Sequence, residues 1–379
     1  MKSILTLALT LAAASVLAGP ATVTKEVQKE EKEESVFDRI WSYPTLYKNE
    51  DSSFLNEFRI VGRAHFDAFT IDSNLGADAD WIVRRIRIGA KARLFHNLDL
   101  HVETELDPQN DNPLYRRLTD AYLAWKFNDA VKLTVGKQSV KFTLDGGTSS
   151  NELLTIDRNN LSNNIWFTTE YVSGVGLSGK IKGFQYNTGY YFGGTETPEF
   201  GNFDEGHFFL ASVGYDFAKE LDAKKALLRA DYVYNDRNLK SNATRPFEHI
   251  GSINFNYAQE KWGVAADVSY ATGFGAQSDV FGFVAMPWYN ITKELQVVAR
   301  YTYLESEGND GVRFNRYENV LTGSRGDEYQ DVYVGLNYYI YGHKLKVQTG
   351  WTYAMMEDSA HNGGKYHGWA WTTGLRMSW

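Results

Sequence analysis

The 379 residues contain no cysteine. Disulfide scaffolds, thiolate metal centres and cysteine nucleophiles are therefore excluded. Proline is scarce, at seven residues. No apolar run reaches the ~20 residues a membrane-spanning helix needs. The longest candidate, Ile4 to Ala14, is interrupted by Thr6 and Thr10. Positive charge is not in excess: 39 Lys and Arg stand against 47 Asp and Glu, for a net charge of −8. That balance argues against nucleic acid as a partner. There is no Gly-x-Ser-x-Gly, no phosphate-binding loop and no His-Glu-x-x-His. His65 and His101 have no motif that would supply a nucleophile and an orienting group. The chain reads as neither an enzyme nor a holder of a metal or cofactor.

The first residues do carry a pattern. Met1-Lys2 is a short charged start, an apolar stretch follows, and Val16-Leu17-Ala18 offers small residues ahead of Gly19. Residues 1–18 are expected to be a secretory signal peptide. Residues 19–52 are expected to be a periplasmic arm and lead-in. The arm is rich in Lys and Glu from Lys25 to Glu34, and Phe37, Ile40, Trp41, Tyr43, Leu46 and Tyr47 lead into the rest, where they are expected to plug the mouth.

What the chain has in abundance is aromatic residues, 15% of the total, and residues that alternate in polarity. In Tyr366–Trp379 the residues Trp369, Trp371, Thr373, Leu375, Met377 and Trp379 share one face, opposite Gly368, Ala370, Thr372, Gly374, Arg376 and Ser378. Sixteen such segments run from Phe54–Phe69 to Tyr366–Trp379; the twelfth, Val280–Tyr289, keeps no single parity. Seven short turns interleave with eight longer connections, the first of them Thr70–Asp80. Lipid-facing strands with short periplasmic turns, long outer loops and an even strand number describe a transmembrane β-barrel. Mean hydropathy of −0.41 fits, because only alternate residues meet lipid. The fold class is all-β: a sixteen-stranded antiparallel transmembrane barrel over residues 53–379, in the bacterial outer membrane.

Placing the apolar face outward assigns charges to the lumen. Glu57, Arg59, Arg63, His65 and Asp67 come from the first strand, and Arg85, Arg87, Lys91 and Arg93 from the second. Asp99, His101, Glu103 and Glu105 come from the third. The basic set Arg59, Arg63, Arg85, Arg87, Lys91 and Arg93 suits carboxylate or phosphate. The connection Gln138–Gly174 carries Lys141, Asp145, Glu152, Asp157 and Arg158 and is long enough to be functional.

Leu46-Tyr47-Lys48-Asn49, Phe58-Arg59-Ile60-Val61-Gly62-Arg63, Arg84-Arg85-Ile86-Arg87-Ile88-Gly89, Ala121-Tyr122-Leu123, Val135-Gly136-Lys137 and Leu154-Thr155-Ile156-Asp157-Arg158 occur in that order. Together they resemble the phosphate-selective porin O and P family over roughly Leu46 to Trp379. The resemblance implies a homotrimeric porin in outer-membrane lipid that passes small anionic or hydrophilic solutes, phosphate among them. In sixteen-stranded porins the third loop folds inward. Here its acids are expected to face the basic wall across a constriction. The competing expectation is a barrel whose outer loops bind a surface ligand or act in adhesion.

Overall fold

The structure, a computed structural model, describes residues 34–109, 114–165, 171–193, 199–238, 244–308, 310–358 and 365–379. The expected signal peptide and most of the arm lie outside these residues.

Sixteen antiparallel strands close into one barrel. In chain order they are β1 Leu55–Ser73, β2 Gly76–Leu94, β3 Leu98–Leu106, β4 Tyr115–Lys126, β5 Lys132–Ser139, β6 Tyr171–Ile181, β7 Phe184–Phe192 and β8 His207–Asp216. They continue as β9 Lys225–Asn235, β10 Phe247–Ala258, β11 Trp262–Gly273, β12 Val280–Asn290, β13 Leu295–Ser306, β14 Glu328–Tyr341, β15 Leu345–Glu357 and β16 Tyr366–Ser378. Each pairs with its successor, and β16 pairs with β1 from Gly368↔Ser73 to Ser378↔Arg63. The alternation places Val332, Val334, Leu336, Tyr338 and Ile340 of β14 on the exposed outer face, while Tyr333 and Asn337 are buried inside.

The first outer connection is not a long loop. β1 and β2 run past the membrane-facing alternation and meet at Asn74-Leu75, with Gly76 at φ +131°. Polar residues fill both faces of this extension because water bathes both, so the apolar signal that marks a strand fades. Asn74 ties the hairpin to the rim: its backbone N–H donates to the His367 carbonyl at 3.1 Å.

The inner face is also not uniformly polar. Short helix α2, Asn160–Ile165, buries Leu161 and Ile165, and with Val140, Phe142, Val312 and Phe314 they pack on inward Phe208, Val233, Ile250, Val284, Leu304, Tyr329 and Met356. Each such side chain contributes about 1.5–3 kcal/mol by leaving water. This core explains the mixed parity of β12: Phe281 and Phe283 face outward, whereas Val280, Val284 and Met286 face α2 and its neighbours.

The barrel's seam has a second occupant. Gly62 and Trp379 exchange backbone hydrogen bonds at 3.2 and 3.1 Å. A Cβ on Gly62 would lie 2.4 Å from the Trp379 ring, so the closure needs glycine there. Beyond that pair, the edge of β1 is taken by the lead-in. Thr45 pairs with Arg59, Tyr47 with Phe58 and Lys48 with Glu57, and the Ile60 N–H donates to the Pro44 carbonyl at 2.8 Å. An open strand edge is an aggregation template, and this segment covers it. Helix α1, Val36–Ser42, starts with a Ser35/Asp38 capping box and docks on the rim. Trp41 Nε1 donates to the Ser378 carbonyl at 2.6 Å, and Phe37 stacks on Tyr341 at 5.5 Å. The lead-in was expected to plug the mouth; it seals the rim. Trp41→Ala removes one hydrogen bond and two aromatic contacts, to Phe37 and Tyr341, about 1–3 kcal/mol. The temperature at which the barrel unfolds in SDS, read by gel mobility, should drop by a few degrees with conductance unchanged. An unchanged midpoint would contradict this role.

Candidate functional site: a basic lumen and the loop that crosses it

The two basic strands and the acidic third strand lie side by side, and much of their charge cancels. Arg87 donates to Glu105 at 2.6 and 2.9 Å and is 1% exposed, with Tyr171 OH on its other side. Arg116 and Arg117 also reach Glu105, at 3.2 and 3.5 Å. Arg63 reaches Glu103 at 3.3 Å. Arg93 pairs with Asp99 at 2.9 Å, half-exposed at the rim, and Arg59 sits with Glu57 beside the lead-in strand. Arg85 is buried. Of the six expected basic residues, Arg63 and Lys91 line the inner cavity described below.

A β-bulge changes the wall in a way strict alternation misses. His65 pairs with Arg85 and Phe66 with Val83, so Arg84 is an extra residue in β2. The bulge turns Arg84 inward beside Arg85, where it meets Asp157 at 3.5 Å.

The segment from Val140 to Ile165 is anchored along its length to inner-face side chains. At its near end, acids capture backbone donors: the Thr143 N–H donates to Asp231 at 3.0 Å and the Leu144 N–H to Asp267 at 2.6 Å. At its far end, wall donors capture backbone carbonyls. Lys346 Nζ donates to Leu153 O at 2.7 Å, Asn337 to Leu154 O at 2.9 Å and Arg376 to Ile156 O at 3.0 Å. Between these ends, Arg63 donates to Ser150 Oγ at 2.9 Å. The loop thus bonds to β1, β9, β11 and β14–β16. Its carbonyl and N–H groups could not be buried without such partners.

The loop's acids do not confront the basic wall as a set. Asp145 is buried and accepts from the Asn159 N–H at 2.7 Å; burial pushes its carboxyl up. Asp157 does approach Arg84, and Arg316 on the other side lies at 3.5 Å. Burial alone would raise Asp157, but Arg316, Arg84, Arg85 and Arg158 outweigh it and hold the carboxyl at about 2. Glu152 is exposed, in the field of Lys225 and Lys346. The acids expected to face the basic wall do so only through Asp157: Asp145 is taken up in holding the loop, and Glu152 lies near Lys225 and Lys346.

What remains open is a cavity of about 940 Å³ on the short-turn side. Nine Lys and Arg side chains border it against two carboxylates, Asp120 and Asp129. Lys141 and Arg158 of the loop border it; Lys126, Lys132, Lys180, Lys182 and Arg229 were not anticipated. Their signal was present in the sequence, since Lys132, Lys180 and Arg229 occupy the parity opposite Val135, Ile181 and Leu228. A smaller cavity of about 270 Å³ lies among the outer loops and is lined by Arg245, Arg313 and Arg325 with no carboxylate. Arg313 and Arg325 are directly paired on a two-residue ladder.

The loop after β13 rests on α2: Asn160 donates to Arg313 O at 2.8 Å. It contains short helix α3, Glu318–Leu321. Burial, helped by Asp331, pushes the Glu318 carboxyl up to about 7 against its own backbone N–H and Arg300. The packed loop therefore keeps a proton that the released loop loses near the ordinary value of 4.5. Loop packing is strongest below that value and weakens as pH rises towards 7. Limited proteolysis of this loop should be faster at pH 8 than at pH 5, and Glu318→Gln should abolish the difference. A variant that keeps the slope of the parent would refute this.

Residues 58–259 match the phosphate-selective porin O and P family. No curated protein matches the chain. Among solved structures, an anion-selective porin from Comamonas acidovorans is 10% identical, with 85% of this chain and 99% of that one covered, at a TM-score of 0.57. OmpF of Salmonella typhi, solved with daunomycin, is 12% identical, with 88% and 100% covered, at 0.61. OmpT of Vibrio cholerae, in a trimer form, is 15% identical, with 85% and 99% covered, at 0.54. At these identities the likeness is one of fold. Taken with the closed sixteen-stranded barrel, the family match over more than half its length makes this chain a member of the phosphate-selective porin O and P family, an outer-membrane porin and so a channel rather than an enzyme.

Proposed function

We propose that the pore gives passive passage to small hydrophilic solutes and favours anions, phosphate included. The observation that carries the reading is the charge of the open lumen: nine cations against two carboxylates around the inner cavity. Low-dielectric walls focus such a field and raise the local concentration of counter-ions. The outer cavity supports the same direction. Like charges directly opposite on paired strands repel, and burial, then Arg325, draws Arg313 down to about 10. A passing anion relieves that repulsion. The acids Glu57, Asp99, Glu103 and Glu105 do not cancel the preference, since each lies beside a wall arginine. The loop from Val140 to Ile165 forms the constriction, with Lys141 and Arg158 as its charged contribution to the path.

The same reading makes the assembly a homotrimer, as in the trimer form of Vibrio cholerae OmpT, and assigns residues 1–18 to a leader removed on export. The deciding measurement is the reversal potential of a planar bilayer holding the purified protein in a potassium chloride gradient. A value towards the chloride potential is expected. A value towards the potassium potential would remove the anion preference and leave the porin assignment intact.

A further inference from the structure

We propose that the inner cavity binds an organic anion bearing several hydroxyl groups, of the sugar-acid or sugar-phosphate class, in preference to a bare inorganic ion. The proposal rests on the anion preference above and adds what else the cavity recognises.

The cavity's volume, about 940 Å³, lies near the top of the roughly 300–1,000 Å³ range of pockets that enclose organic ligands. A single small inorganic anion would fill little of it. The arrangement of side chains on its floor is more specific. Register pairs Lys132 with Ser178, Ser178 with Asn187, and Asn187 with Ser212, across β5, β6, β7 and β8. All four line the cavity. They face inward, because Val135, Leu177, Tyr190 and Val213 hold the opposite parity and are exposed. Directly paired positions on one face lie about 4.5–5.5 Å apart. The result is an unbroken row in which the paired lysines Lys126 and Lys132 lead into three short neutral groups that both donate and accept, with the buried Asp231 beyond Ser212.

A row of this kind is not what a bare anion selects. An inorganic ion is bound by converging cations, and the neutral members would add little. A sugar acid with its carboxylate or phosphate on the Lys132 ammonium can present alternate hydroxyls of its carbon chain to Ser178, Asn187 and Ser212, because alternate hydroxyls match the spacing of paired positions. The wall beside the row is kept low by Gly176, which leaves the row accessible. Several groups of the lining are buried with no protein hydrogen bond among the described residues, among them Ser212 Oγ and Gln138 Nε2 beside the row and Arg63 Nε and the His101 ring nitrogens farther off. Buried polar groups are nearly always satisfied, so the two beside the row await water or a ligand. Sites built to hydrogen-bond hydroxyls also discriminate strongly against molecules that lack them.

The test uses the full-length protein in planar bilayers, with gluconate, glucose 6-phosphate, inorganic phosphate and glucose added on the short-turn side and the block of potassium chloride current recorded. Gluconate and glucose 6-phosphate should block at concentrations at least about tenfold lower than phosphate or glucose, a margin of ~1.4 kcal/mol. Asn187→Ala with Ser212→Ala should weaken that block by about tenfold, the loss of one to two hydrogen bonds. Lys132→Ala should weaken block by the two organic anions and leave glucose unaffected. Phosphate blocking as well as gluconate, glucose blocking as well as gluconate, or a double variant that blocks like the parent would overturn the proposal while leaving the anion preference standing. A cation-preferring parent would remove both.

Discussion

Deleting Asp145 to Asp157 raises single-channel conductance, roughly doubling it or more if the segment fills the narrowest section. The expectation follows from where the segment's bonds end. Between Thr143 and Asp157 its backbone is held by Asp231 and Asp267 on one side of the barrel and by Asn337, Lys346 and Arg376 on the other. A chain segment anchored on opposite walls crosses the space between them. Removing it strands Lys346 and Arg376 without their carbonyl acceptors, though Arg376 keeps Asp67. The wall itself consists of strand pairs and survives. A milder variant guards against misfolding: Asp231→Ala with Asp267→Ala frees only the near end. It should leave mean conductance closer to the parent and increase its fluctuation. If both variants conduct like the parent, the loop lies outside the path.

Reversing charge at Lys91, Lys132 and Lys141 moves the reversal potential from the anion side to the cation side. All three border the inner cavity, and no carboxylate lies within ion-pair distance of them among the described residues. Three lysine-to-glutamate changes shift the lining from nine cations and two carboxylates to near balance, with carboxylates at the positions that face the solute. The Debye length of about 8 Å at physiological salt means charges in the path count and distant ones are screened. Lys224→Glu is the matched control, because Lys224 is exposed on the rim beside Glu260 and should have no effect. Arg87 is a poor place to make the same test. It is sealed between Glu105 and Tyr171, and breaking a buried pair costs about 3–5 kcal/mol by leaving a charge uncompensated. If the triple variant keeps the parent's selectivity, the selecting charges lie elsewhere.

The strands were legible because lipid imposes a period of two on every one of them. Phe58 and Ile60 against Arg59 and Arg63, or the six outward residues of β16, need no tertiary information. Legibility ended where a second environment replaced lipid or water. The tip of the first hairpin was taken for a loop because water wets both faces of Gly76 to Asp80. The inner faces of β8 to β16 were expected to be polar because nothing local says that Leu161, Ile165 and Phe314 will cover them. Arg84 was left out of the lumen set because a single inserted residue is invisible to a parity rule. The candidate site fared in the same way. That Arg63, Lys91, Lys141 and Arg158 share one cavity follows from parity and loop length. That Arg87, Asp145 and Asp157 are absorbed by internal pairing depends on which strands become neighbours and how far a loop reaches. Residue type carries the chemistry a side chain can perform, and its partners decide whether that chemistry stays available.

The rim seal also makes the barrel a ring in the connectivity sense. β1 has partners from both ends of the numbering along one edge, Thr45 to Lys48 and Gly368 to Trp379, and Trp41 lies a hydrogen bond from Ser378. The two ends can therefore be joined by a short linker and the chain reopened at another tight connection, such as Asn74-Leu75 or Gly342-His343, without changing any strand's neighbours. In such a permuted chain β1 and β16 become a local hairpin and some other pair becomes the distant one. The choice of break point then sets which pairing must be found last during folding, and the order of barrel closure can be separated from the identity of the finished barrel.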